Sequence, residues 1–178
     1  MAKTKWTLDP AHSEVEFKVR HLMITNVSGE FKTFSVDVET EGEDFMTAKA
    51  TFTADIDSIT TGADQRDQHL KSADFFDAAN HPQLKFVATK YEVVDNDGSY
   101  ELYGDLTIRG TTKPIKLDVE FGGIIKDPWG NTRAGFSING KINRKDFGLH
   151  WHAVTETGGI VVSDDVKIHC AIELIKQA

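Results

Sequence analysis

Tyr100-Glu101-Leu102-Tyr103-Gly104-Asp105-Leu106-Thr107-Ile108-Arg109 is the stretch that decides the fold class. Tyr100, Leu102, Gly104, Leu106 and Ile108 fall on one side, and Glu101, Tyr103, Asp105, Thr107 and Arg109 on the other. A period of two belongs to a β-strand with one dry face and one wet face. The same alternation recurs upstream in Val15, Phe17 and Val19, in Phe34, Val36 and Val38, and in Ala48, Ala50, Phe52, Ala54 and Ile56. Leu84, Phe86 and Ala88 begin a further run that slips phase to Tyr91 and Val93. Downstream it returns in Ile115 through Ile125, in Ala134 through Ile142, and in Val166, Ile168, Cys170, Ile172 and Leu174. Eight strands of this kind can close into an antiparallel barrel with an apolar interior. The spacing thus predicts an all-β, eight-stranded, lipocalin-like barrel, with a short extra strand at Lys5–Asp9 stopped by Pro10.

Phe31 lies out of phase with Phe34, which predicts a bulge or bend near Lys32–Thr33. Asp95-Asn96-Asp97-Gly98 and Asp127-Pro128-Trp129-Gly130-Asn131 read as hairpin turns. Two connections exceed what a hairpin needs. The segment 60–82 carries a helical candidate at Asp64–Ser72, with Asp64 placed to cap its first turn. The segment 144–163 carries aromatics, histidines and Gly158-Gly159. Long loops on a barrel are suited to cover its mouth.

The 178 residues fit a single domain spanning 1–178. A formal charge of −8 and a pI near 5.3 argue against nucleic acid as a partner and against docking on anionic lipid by charge alone. No stretch is long and apolar enough to insert as a membrane-spanning helix. The start lacks an apolar leader segment, so a cytoplasmic location is expected for the chain as written, or a periplasmic one if a leader has been removed. The sole cysteine, Cys170, is expected as a small buried hydrophobe.

The size of the inward residues decides whether such a barrel is solid. Ala48, Ala50, Ala54, Ala88, Gly104, Gly123, Ala134 and Gly140 favour a hollow lumen that an elongated apolar ligand would fill. Phe17, Phe52, Phe86, Phe121 and Phe136 could equally fill the gaps and give a packed, tapered barrel.

Ordered blocks along the chain carry a resemblance. They include Trp6-Thr7-Leu8-Asp9-Pro10-Ala11-His12-Ser13, Ile59-Thr60-Thr61-Gly62, Arg66 through Asp77 and His81-Pro82-Gln83-Leu84-Lys85-Phe86. Gly104 through Pro114, Ile142 through Leu149 and Val162 through Val166 complete the set. Together they resemble the YceI-like family. The resemblance implies a lipocalin-like barrel that binds a long-chain isoprenoid lipid, of the polyprenyl or ubiquinone type, without catalysis and without a further cofactor. The expected lumen and mouth residues begin with Phe17, Val19, Phe31, Ala50, Phe52 and Ala54. They continue with Phe75, Phe76, Phe86, Leu102, Gly104 and Phe121, and end with Phe136, Ile138, Trp151 and Cys170.

Polar groups near the mouth are candidates for a lipid head group: Arg66, His69, His150 and His152. The plainer reading of Arg66 and Asp67 is that they fix the helix to the barrel rim. His150 and His152 with Asp146 or Glu156 could alternatively ligate zinc or iron in a metal-assisted enzyme; the spacing is weak and a metal is not expected. Arg144 and Asp146 read as a rim ion pair. A packed barrel acting as a stress-response interaction module, and a homodimer formed through a rim or strand edge, are further readings. Asp74-Phe75-Phe76-Asp77 should send at least one ring inward.

Overall fold

The computed structural model describes residues 2–22, 24–151 and 162–177. The strands are β1 (Lys3–Leu8), β2 (Glu14–His21), β3 (Thr25–Phe31), β4 (Phe34–Glu41), β5 (Asp44–Asp55) and β6 (Ile59–Thr60). The one α-helix among the described residues, α1 (Asp64–Lys71), precedes β7 (Gln83–Val93), β8 (Ser99–Ile108), β9 (Thr111–Lys126), β10 (Thr132–Asn143) and β11 (Val162–Lys176). These segments make a closed antiparallel barrel of eight staves. The first stave is β1 and β2, interrupted at Pro10–His12 where proline removes a ladder donor. The second is β3 and β4, and the third is β5 and β6. Each remaining strand is a stave by itself. Closure comes from β11, which pairs with β2 through Val162–Ala171 and with β1 through Leu174–Lys176.

The strand expected before the barrel is therefore the first half of its first stave. The run expected as one strand from Gly29 is divided at Lys32–Thr33. A short turn at Ile56–Ser58 tucks into that break: Lys32 N donates to the Ser58 carbonyl, and Asp55 N to the Thr33 carbonyl. The break restores Phe34 to the inner face after Phe31, because two residues lie outside the ladder.

Three inward assignments fail for identifiable reasons: Gly123 and Ile125 lose the inward phase at one bulge, and Val93 at a strand end. Ile125 is 66% exposed, because the register shifts between Gly135 and Phe136 where Gly122 is left unopposed and Gly123 takes φ +107°. Ile124 turns inward in its place. Val93 is 65% exposed, since it ends β7 at the lip of the closed end. The expected slip in β7 is present between Ala88 and Lys90.

The end formed by the β4–β5, β7–β8 and β9–β10 turns is sealed by aromatic rings. Trp6 meets Phe45 at 4.8 Å, and Phe45 meets Phe121 at 5.4 Å and Phe136 at 4.9 Å. The Trp6 indole donates to Thr40 Oγ1 at 2.9 Å, which satisfies the one polar atom this floor buries with Trp6.

Below the floor Arg133 gathers Asp9, Asp127 and Glu173, and His12 Nδ1 lies 2.7 Å from Asp9. The hydrogen bond from His12, aided by Arg133 and Glu173, holds the Asp9 carboxyl at about 2, below its ordinary 3.8. A depressed folded-state pKa stabilises the protein above the unfolded value and is lost as pH falls through the folded one. Acid unfolding should therefore include a component between about pH 4 and about pH 2 that Asp9→Asn removes. A urea-midpoint series across that range checks it; an identical pH slope in the variant would contradict the assignment.

Candidate functional site

Inside the barrel lies a cavity of about 450 Å³. Its wall is built by the alternating residues of nearly every stave, and it runs from the aromatic floor toward α1. Phe17, Val19, Phe31, Ala50, Phe52, Phe75, Phe76 and Phe86 border it, as do Leu102, Phe136, Ile138, Trp151 and Cys170.

Three residues expected on that wall do not border the cavity. Ala54 is completely buried behind it. Phe121 belongs to the floor, where its ring stacks on Phe136 at 5.2 Å. Gly104 is covered: a Cβ there would collide with the Phe86 ring and the Val87 carbonyl. Gly140 is likewise covered by Leu117. Gly104 and Gly140 thus receive side chains from neighbouring strands, and the open space comes from the width of the barrel with Ala48 and Ala50 on its wall.

Alternation in the sequence misses Phe45, which lies within the turn-like Asp44–Thr47 start to β5 and so sits out of phase with Ala48. Alternation marks Tyr91 and Tyr100 as inward strand residues and carries no sign of their hydroxyls' role. Both border the cavity, their rings 5.9 Å apart. The Tyr91 hydroxyl donates to the Ala48 carbonyl, and burial pushes its pKa up to about 12. Burial does the same to the Cys170 thiol, also to about 12, which keeps it protonated at neutral pH.

The mouth is organised by α1 and the turn after it. Asp64 does not cap the helix; Ala63 holds the cap position without a side-chain bond. The buried Asp67 carboxylate instead accepts from Thr61 N at 2.8 Å and Thr61 Oγ1 at 2.6 Å. Arg66 donates to Thr61 Oγ1 and to the Thr61 carbonyl, both at 2.7 Å. Arg66 and Asp67 therefore fasten the helix to the rim.

Phe75 and Phe76 both turn inward, and Arg109 donates to the Phe75 carbonyl at 2.9 Å. Arg109 has φ +49° and Gly110 +75°, the pair of left-handed residues of a tight hairpin. Trp151 lies 5.3 Å from Phe75. His69 presents its ring edge to both, with Nε2 2.8 Å from Asp74 Oδ2.

Arg144 corrects the rim-pair reading. It is 3% exposed and does not pair with Asp146. Its guanidinium donates to the carbonyls of Leu149 and Trp151 at 2.6 Å and of Ser163 at 2.9 Å, with Asp164 3.8 Å away. One buried cation thus ties the 149–151 segment to the start of β11. His150 and Asp146 are exposed, while His152 and Glu156, the other residues of the alternative metal set, lie outside the described residues. The cluster of possible ligands among the described residues is Asp9, His12 and Glu173, and Arg133 already occupies it.

The YceI-like domain model matches residues 6–174. A UPF0312 protein of Staphylococcus aureus is 42% identical over 171 residues, covering 96% of both chains. Among solved structures, the Campylobacter jejuni YCEI protein is 38% identical with a TM-score of 0.76, covering 96% of this chain and 97% of its own. A polyisoprenoid binding domain from Saccharophagus degradans shares the fold at 17% identity, TM-score 0.70, covering 97% and 98%.

Proposed function

Since this chain belongs to the YceI-like family, we propose that it is a lipid-binding barrel and that its ligand is a long-chain isoprenoid lipid held in the lumen and released to an acceptor membrane. The observation that carries this reading is the cavity of about 450 Å³ with an almost wholly apolar wall. Apolar voids stay dry and forfeit dispersion contacts, and a hydrocarbon chain restores those contacts. The Saccharophagus degradans neighbour, described as a polyisoprenoid binding domain, supports the isoprenoid choice.

Binding rather than catalysis also fits the polar groups at the mouth. Arg66, Asp67, Arg109 and Arg144 are engaged in holding the collar in place.

Energetics favour a carrier. Transfer of a methylene out of water contributes about 0.8 kcal/mol. A polyprenyl chain in a bilayer is already dry, so that gain nearly cancels on transfer to the protein. Shape fit and a few polar contacts then set the equilibrium, and the load stays exchangeable.

Incubation of lipid-free protein with liposomes containing a polyprenol tests this. Polyprenol is expected in the re-isolated protein and is expected to leave again on addition of excess empty liposomes. Failure to take up any polyprenol would contradict the isoprenoid reading. Uptake without release would contradict the carrier role.

A further inference from the structure

The Tyr100 hydroxyl is a polar group without a partner inside an apolar chamber. Tyr100 is 7% exposed, sits on the inward phase of β8 and borders the cavity at its closed end. Among the described residues no hydrogen-bond partner reaches its hydroxyl, whereas the neighbouring Tyr91 hydroxyl is satisfied by Ala48. The inward residues across the ladder from Tyr100 and from its neighbour Leu102 are Val119, Leu117 and Tyr91. The hydroxyl is not sealed off in the empty barrel, but a ligand that fills the chamber would close it off, and a hydroxyl buried without a partner is costly. A water at this point would find too few polar partners, since a stably held one needs about two to four.

We propose that Tyr100 is a hydrogen-bond donor to the ligand, and that the ligand enters with an uncharged, oxygen-bearing end first and leaves its hydrocarbon tail toward the mouth. This rests on the lipid-binding reading above and adds an orientation and a chemical class to it.

The acceptor must be neutral. The cations along the wall, Arg20, Arg66 and Arg144, belong to the mouth end, and the floor of Trp6, Phe45 and Phe136 offers none. A phosphate or carboxylate driven to the floor would lose its hydration without a counter-charge. A carbonyl or ether oxygen needs only one donor. Tyr100 can supply it at any ordinary pH, because burial, with Tyr91 adding to the effect, keeps the phenol protonated. The polar groups placed at the mouth for a head group, Arg66 and His69, already have protein partners in Thr61 and Asp74.

The test compares farnesylacetone with its methylene analogue, in which C=CH₂ replaces the ketone. Affinities are read by displacement of an environment-sensitive dye from the full-length protein and from Tyr100→Phe, whose melting curve reports that the barrel is intact. One neutral hydrogen bond corresponds to roughly a three- to ten-fold preference. The native protein should prefer the ketone by that factor, and Tyr100→Phe should erase the preference while binding the hydrocarbon as before. The carbonyl stretch of bound ketone should shift to lower frequency in the native protein and return to its apolar-solvent position in the variant. Equal affinity for both probes in the native protein, or an unshifted carbonyl, overturns the assignment and leaves the lipid-binding reading standing. Absence of binding by either probe overturns both.

Discussion

Ala50→Phe is expected to abolish lipid co-purification while leaving the barrel folded. Ala50 pairs with Val38 across β4 and β5 and borders the cavity. A phenyl group there projects into open space, not into a packed neighbour, so the usual overpacking cost is small. Removing cavity volume returns about 24 cal/mol for each Å³ filled, so the melting temperature should hold or rise. Lipid recovered per protein should fall at least about ten-fold, the equivalent of about 1.4 kcal/mol of lost fit between chain and wall. Gly104 is the wrong place for this experiment, because Phe86 and the Val87 carbonyl already occupy the space above it. A folded Ala50→Phe protein that still carries a full complement of lipid would place the ligand outside the lumen.

Arg144→Met should produce the largest loss of stability of any single polar-to-apolar change in the mouth. Its guanidinium supplies donors to the Leu149, Trp151 and Ser163 carbonyls from a site with almost no solvent. Methionine keeps much of the stem volume and removes every donor. Each carbonyl left buried and unpaired costs about 1–3 kcal/mol. A total near 3 kcal/mol lowers Tm by roughly 6–12 °C for a domain of this size. Lipid retention should also weaken, because Trp151 loses the anchor that sets it against Phe75 and His69. Thermal melting with and without added polyprenol measures both effects. A melting curve equal to that of the native protein would show that the carbonyls find other partners.

The barrel was legible because its strands need one dry face each, and that demand writes a period of two into the chain. The reading failed where the ladder is irregular. Ile125 follows the period through β9, yet the extra residue at Gly122 moves the phase by one and exposes it. Nothing in the local spacing distinguishes a bulge there from a continuous strand. The small inward residues were read as empty space, but a glycine on a sheet is equally a socket for a neighbour's ring, and the cross-strand register that fills Gly104 with Phe86 is a tertiary fact.

The mouth was legible in outline, through the aromatic pair Phe75 and Phe76 and the helix fastened by Arg66 and Asp67. Arg144 was not. A lone arginine beside a hairpin end looks like a surface charge until its loop folds over it and aims three carbonyls at it. Tyr100 was hidden for the opposite reason: it matches the strand pattern so well that nothing in the spacing sets its hydroxyl apart.

The decisive measurement is mass spectrometry of an organic extract of the native protein, purified without added lipid or detergent. The lumen described above predicts a single class of isoprenoid lipid bearing a neutral oxygen, in near one-to-one ratio with the chain. An extract free of lipid from a protein that also declines polyprenol from liposomes would contradict the claim that this cavity exists to hold a lipid tail.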